Sequence, residues 1–126
     1  MNSPSTRSPT VLDSAALERL RELDPKGENQ LLQRVLKAFE TSVARLVPQL
    51  LQARDAADSA AIRHVAHTLK SSSASIGALA LSQMCAHIEA SARAGTLDLA
   101  GPGIDDMCRE IEFVLQALEQ LLQRTP

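Results

Sequence analysis

Apolar residues recur at alternating intervals of three and four through most of this chain, and that spacing fits the period of one secondary structure only. From about Glu28 to Ala57 the series Leu32, Val35, Leu36, Phe39, Val43, Leu46, Val47, Leu50 and Leu51 marks one face of a long helix. Pro48 falls inside it, but the stripe continues in phase beyond the proline, so a kink is predicted rather than an end. A second series, Ile104, Met107, Cys108, Ile111, Val114, Leu115, Leu118, Leu121 and Leu122, does the same near the C-terminus. No segment shows the strict apolar and polar alternation of a half-buried strand.

Breakers divide the remainder. Residues 1–10, "MNSPSTRSPT", mix Ser, Thr, Pro and Asn without period and are expected to be a disordered tail. Asp13 is placed to cap a short helix carrying Leu12, Ala16, Leu17, Leu20 and Leu23, which "DPKG" terminates. Asp58 or Ser59 caps the next, running to about Ile76. Gly77 breaks it, and "ALALSQMCAHIEASARAG" forms another with Leu81, Met84, Cys85, Ile88 and Ala92 inward and Gly95 at its stop. The "GPG" at 101–103 opens the last helix. Four long amphipathic helices joined by short connections predict an all-α, up-down-up-down four-helix bundle over residues 11–126, with the short first helix covering one end.

Composition removes several classes of function. Thirteen Lys and Arg against fifteen Asp and Glu leave a net charge of −2, so there is no positive excess to neutralise a phosphate backbone. Phe39 and Phe113 are the whole aromatic complement, which leaves no platform for stacking bases. Nucleic acid is therefore not an expected partner. No apolar run is long enough for a signal sequence or a membrane span, and a cytoplasmic monomer is the expectation. Cys85 and Cys108 stand apart without metal-ligand or redox spacing and read as small core hydrophobes.

The helix over 59–76 resolves into two faces at about 100° per residue. Ile62, Val65, Ala66, Leu69, Ser72, Ser73 and Ile76 share one stripe, while Arg63, His64, His67, Lys70, Ser71, Ala74 and Ala78 share the other. Serines 72 and 73 on the inner stripe can bond back to carbonyls one turn earlier, and their small size lets a neighbouring helix come close. His67 then points to solvent above the small side chains of Ser71 and Ala74. Its neighbours on this face are cations and a hydroxyl, with no local carboxylate to orient it as the base of a catalytic triad. Lys70, one turn on, can donate charge-assisted hydrogen bonds to phosphoryl oxygens, and histidine nitrogen is a known covalent nucleophile. The chemistry that fits is an exposed phosphoryl acceptor.

"HTLKSSSASIGA", His67 to Ala78, resembles the signature H-x-L-K-G-[SA]-[SA]-x-x-[LI]-G-A of the histidine-containing phosphotransfer (HPt) domain family. "VLDSAALERLREL", "FETSVARLVPQLLQA" and "LSQMCAHIE" resemble further family segments in family order, so the likeness spans about residues 11–124. It implies a four-helix bundle that relays a phosphoryl group between receiver-domain aspartates in two-component pathways. It implies His67 as the phosphoacceptor and Lys70 as the partner of the phosphoryl oxygens; Ser71, His64 and Arg63, on the same helical face, are the further candidates for phosphoryl or partner contact. Such a carrier is not itself an enzyme, needs no cofactor of its own, and meets Mg2+ only on the receiver domain. Its implied partners are response-regulator receiver domains or a hybrid sensor histidine kinase. Ser71 departs from the family's usual glycine, narrowing the approach to His67 and offering a hydroxyl to the imidazole or the phosphoryl group. Lys70, on the solvent face, is expected to act without supporting the fold.

Other readings compete at these residues. A single surface histidine is ordinarily a solvated side chain, and only the surrounding pattern promotes His67. His64 and His67 at i, i+3 supply two metal ligands, yet zinc needs a third or fourth, and no Glu precedes a histidine at the spacing of bundle di-iron sites. A bundle that binds partners without being phosphorylated predicts binding indifferent to His67. The starting methionine and loose tail are expected of a stand-alone protein.

Overall fold

A computed structural model of the chain describes residues 12–27 and 30–124; the expected tail at 1–10 and the expected helix start at Glu28 lie outside them, as do the side chains of Ala16 and Leu122. Five helices make up the described chain: α1 (Ser14–Glu22), α2 (Leu31–Asp55), α3 (Ser59–Ser75), α4 (Leu79–Ala94) and α5 (Gly103–Arg124). No strand occurs among the described residues. Helix α2 packs on α3, α3 on α4, α4 on α5 and α5 back on α2, which closes the four-helix bundle. Helix α2 runs unbroken through Pro48, as the continuing stripe required.

Local chemistry sets the boundaries. The Asp58 carboxylate accepts the Ala61 N–H at 3.1 Å and so caps α3, satisfying one of its free donors. Gln30 before α2 has no side-chain cap, and the carboxylate of Asp24 reaches the Leu31 N–H at 3.1 Å instead. Gly95 ends α4 with φ of 74°, a left-handed conformation that a side chain resists. Gly77, at φ of 81°, turns the chain between α3 and α4, and its carbonyl accepts the Asp13 N–H at 2.6 Å. That bond ties α1 to the α3–α4 turn, while Leu17 is buried. At the far end Arg54 of α2 meets Asp105 of α5 at 2.7 Å.

The core follows the two long stripes: Leu36, Leu46, Leu50, Met107, Ile111 and Val114 are all essentially inaccessible. The inner stripe of α3 is as expected at Ile62, Val65, Ala66, Leu69, Ser73 and Ile76, with Ser72 half-buried. Two assignments change. Leu23, counted in the first stripe, is 73% exposed, and Ala78, counted on the outer face of α3, is fully buried. Both lie just past the end of a helix, at Glu22 and Ser75, where the helical angle no longer says which way a side chain points.

Candidate functional site

Helix α3 makes its most extensive contact with α4, and the close approach rests on small side chains. Ala66, Ser73, Ala78 and Ala92 are buried, and the Ser82 hydroxyl of α4 donates to the carbonyl of Lys70 at 2.9 Å. Ser72 bonds back to the Thr68 carbonyl at 3.1 Å as predicted. Ser73 does not. Its buried hydroxyl has no hydrogen-bond partner, so its smallness is its contribution.

His67 projects from the middle of α3 with 61% of its side chain exposed. The carboxylate that its own helix lacks comes from α4. Glu89 Oε2 lies 2.8 Å from His67 Nδ1, and Glu89 Oε1 accepts from Lys70 Nζ at 2.7 Å. Arg93, one turn further along α4, donates to Oε2 at 3.2 Å. Only 5% of Glu89 is exposed, so three cationic or potentially cationic groups converge on one buried carboxylate. The hydrogen bond from Lys70, and next that from His67, pull the Glu89 pKa from 4.5 down to about 2 against the opposing effect of burial.

An ionised carboxylate can only accept. Nδ1 of His67 is therefore the protonated nitrogen, and in the neutral ring the lone pair belongs to Nε2 on the open side. This is the arrangement that orients a nucleophilic imidazole, assembled across an interface between two helices rather than along one.

The other sequence-derived candidates divide. Lys70 joins His67 through Glu89, but it is half-buried rather than on the solvent face, with 35% of its side chain exposed. Ser71 is exposed one turn beyond His67. The ring is oriented by Glu89, not by the Ser71 hydroxyl. His64 and Arg63 are exposed one turn before, outside the Glu89 network. His87, which is not among the candidates, lies on the other side of α4, in a groove shared with Asp106 and Glu110 of α5. Among the described residues no group of three or more His, Cys, Asp and Glu is placed to hold a metal ion, so no third ligand joins His64 and His67. Glu89 was missed because its partners are 19 and 22 residues away. The available signal was a charge beside the inward stripe of α4, four residues after Cys85, where burial demands a partner.

A closed bundle with a solvent-facing histidine, backed by a buried carboxylate and a lysine one turn on, defines a phosphocarrier of the HPt class. The chain belongs to that family: the family model described as Hpt domain matches residues 34–125. A solved structure similar to it is the crystal structure of histidine-containing phosphotransfer protein B (HptB) from Pseudomonas aeruginosa PAO1. The two are 33% identical with a TM-score of 0.84, over 94% of this chain and 100% of that one. No curated protein sequence matches. The chain is thus a histidine phosphotransfer protein of a phosphorelay, a class that interacts with receiver domains and histidine kinases. No described helix is long and apolar enough to cross a membrane.

Proposed function

We propose that His67 Nε2 is the atom that carries the phosphoryl group, with Glu89 orienting the ring and Lys70 moving from Glu89 to the phosphoryl oxygens. The observation behind this reading is the 2.8 Å contact between Nδ1 and Glu89, which leaves the lone pair of Nε2 on the outward side of the ring. Nε2 attacks the phosphorus of an aspartyl phosphate on a receiver domain, the N–P bond forms, and the P–O bond to the aspartate breaks. The carboxylate leaves and the reverse step passes the group on. Arg63, His64 and Ser71 supply the exposed surface that the partner covers, and the small Ser71 keeps the approach to the ring low. The chain brings the nucleophile, while the receiver domain or kinase brings the catalytic groups and any Mg2+.

Incubation with a phosphorylated receiver domain tests the reading. Wild-type protein acquires an acid-labile, base-stable label and His67→Gln acquires none; label that persists in His67→Gln places the site elsewhere. Lys70→Ala still takes up label, but more slowly, on the order of 10²-fold if the lysine is a full transition-state donor. An unchanged rate would make it a surface charge only.

A further inference from the structure

A phosphoryl group on Nε2 changes what Nδ1 can be. In the free neutral ring Nδ1 carries the proton, but in an Nε2-substituted neutral ring Nδ1 is a bare lone pair, and it is protonated only in the imidazolium. A bare lone pair at this position would face an acceptor-only carboxylate at 2.8 Å, two acceptors with nothing between them. Glu89 stays beside the ring when Lys70 turns to the phosphoryl oxygens, since Arg93 still grips Oε2 at 3.2 Å and the Glu89 side chain is 6% exposed.

The charges around the ring lead the same way. From α3 come Lys70 and, one turn before His67, the exposed Arg63 and His64; from α4 come Glu89 and Arg93. Helix α2 presents Val35, Ala38, Phe39 and Ser42 along its groove with α3, none of them charged. A dianionic phosphoryl group added to Glu89 makes three negative charges; Lys70 and Arg93 touch the carboxylate, while Arg63 is exposed one turn away. A proton on Nδ1 is favoured by the Glu89 carboxylate it bonds and by the dianion on the other ring nitrogen.

We propose that Glu89 keeps the proton on Nδ1 of His67 after the phosphoryl group arrives, so that the phosphorylated site is a phosphoimidazolium paired with the Glu89 carboxylate. This rests on the assignment of Nε2 as the acceptor. Nε2 donates its electron pair to phosphorus, the receiver aspartate leaves with the P–O pair, and the proton already on Nδ1 stays there throughout. On the return step the P–N pair goes back to Nε2 and a neutral imidazole departs. Neither direction needs a proton acceptor, and the adduct is held in its more readily transferred form. Glu89 acts through His67 and is a positioning residue.

The full-length chain, with 15N-labelled histidine, is phosphorylated with phosphoramidate and the ring nitrogens are followed by NMR against pH. Phosphorylated wild type retains the Nδ1 proton up to about pH 8, more than one unit above the ordinary histidine value of about 6.5. Glu89→Gln, which can still accept from or donate to the ring, loses that proton near the ordinary value. Its phosphohistidine then hydrolyses about tenfold or more slowly at the higher pH, the factor corresponding to one pKa unit. A wild-type Nδ1 that titrates in the ordinary range overturns the proposal, even if Glu89→Gln fails to fold. So do identical titrations in the two proteins. Absence of phosphoryl on Nε2, read from the same spectra and checked with His67→Gln, overturns the acceptor assignment and this proposal together; a phosphorylated but ordinary ring overturns this proposal alone.

Discussion

Glu89 concentrates the electrostatics of the molecule in one side chain. Its carboxyl sits at about 2 in the fold against 4.5 ordinarily, because Lys70 and His67 both donate to it. A depressed carboxyl stabilises the fold when ionised, so its contribution is complete above the unfolded value. On acidification the unfolded chain takes up the proton first, and the contribution drains away between about 4.5 and about 2. Unfolding of wild type and Glu89→Gln across that window should show wild type losing stability with the steeper slope. Parallel slopes would remove Glu89 from the acid response. The same contact corrects the expectation for Lys70: its ammonium compensates a buried charge, so Lys70→Ala lowers Tm as well as the transfer rate, and Lys70→Ala with Glu89→Gln recovers part of the loss.

Helix α3 carries both a functional face and a packing face, and its small residues serve the two differently. The Asp58 cap fixes where it starts and satisfies one of its free N–H donors, more than two turns before His67. Asp58→Ala should cost about 1 kcal/mol, readable by denaturant unfolding with the transfer rate of the folded protein unchanged. Ser73 makes the opposite case. A buried hydroxyl without a partner lowers stability, by about 1–3 kcal/mol for an unsatisfied polar group, and alanine keeps the small volume against α4. Ser73→Ala should raise the denaturation midpoint; a lower midpoint would show that the hydroxyl is hydrogen-bonded in solution.

The bundle holds the site by keeping α3 and α4 in register, and every long helix contributes to that through one continuous core. Leu50, fully buried on α2, lies within this core. Leu50→Ala should lower global stability by about 2–5 kcal/mol through lost contacts and a residual cavity. Phosphoryl uptake by the fraction still folded should stay near wild type, because the His67–Glu89–Lys70 geometry is built between α3 and α4 alone. A stability loss below 1 kcal/mol, measured by urea unfolding, would mean that the core closes around the gap.

Periodicity is a local property, and it was enough for the helices: the stripes of α2 and α5, the passage through Pro48, the cap at Asp58 and the breaks at Gly77 and Gly95 are all readable residue by residue. The family motif likewise pointed to His67 and Lys70, which sit one turn apart on a single helix. The sequence did not say where side chains point once a helix has ended, so Leu23 and Ala78 were misplaced. Nor did it supply the partner of His67, since a helical face lists only its own residues. Glu89 reaches the imidazole because α3 and α4 approach closely over Ala66, Ser73 and Ala92, and that approach decides which ring nitrogen faces the carboxylate and which faces solvent. A hydrogen bond 2.8 Å long between residues 22 apart exists only once the two helices are packed.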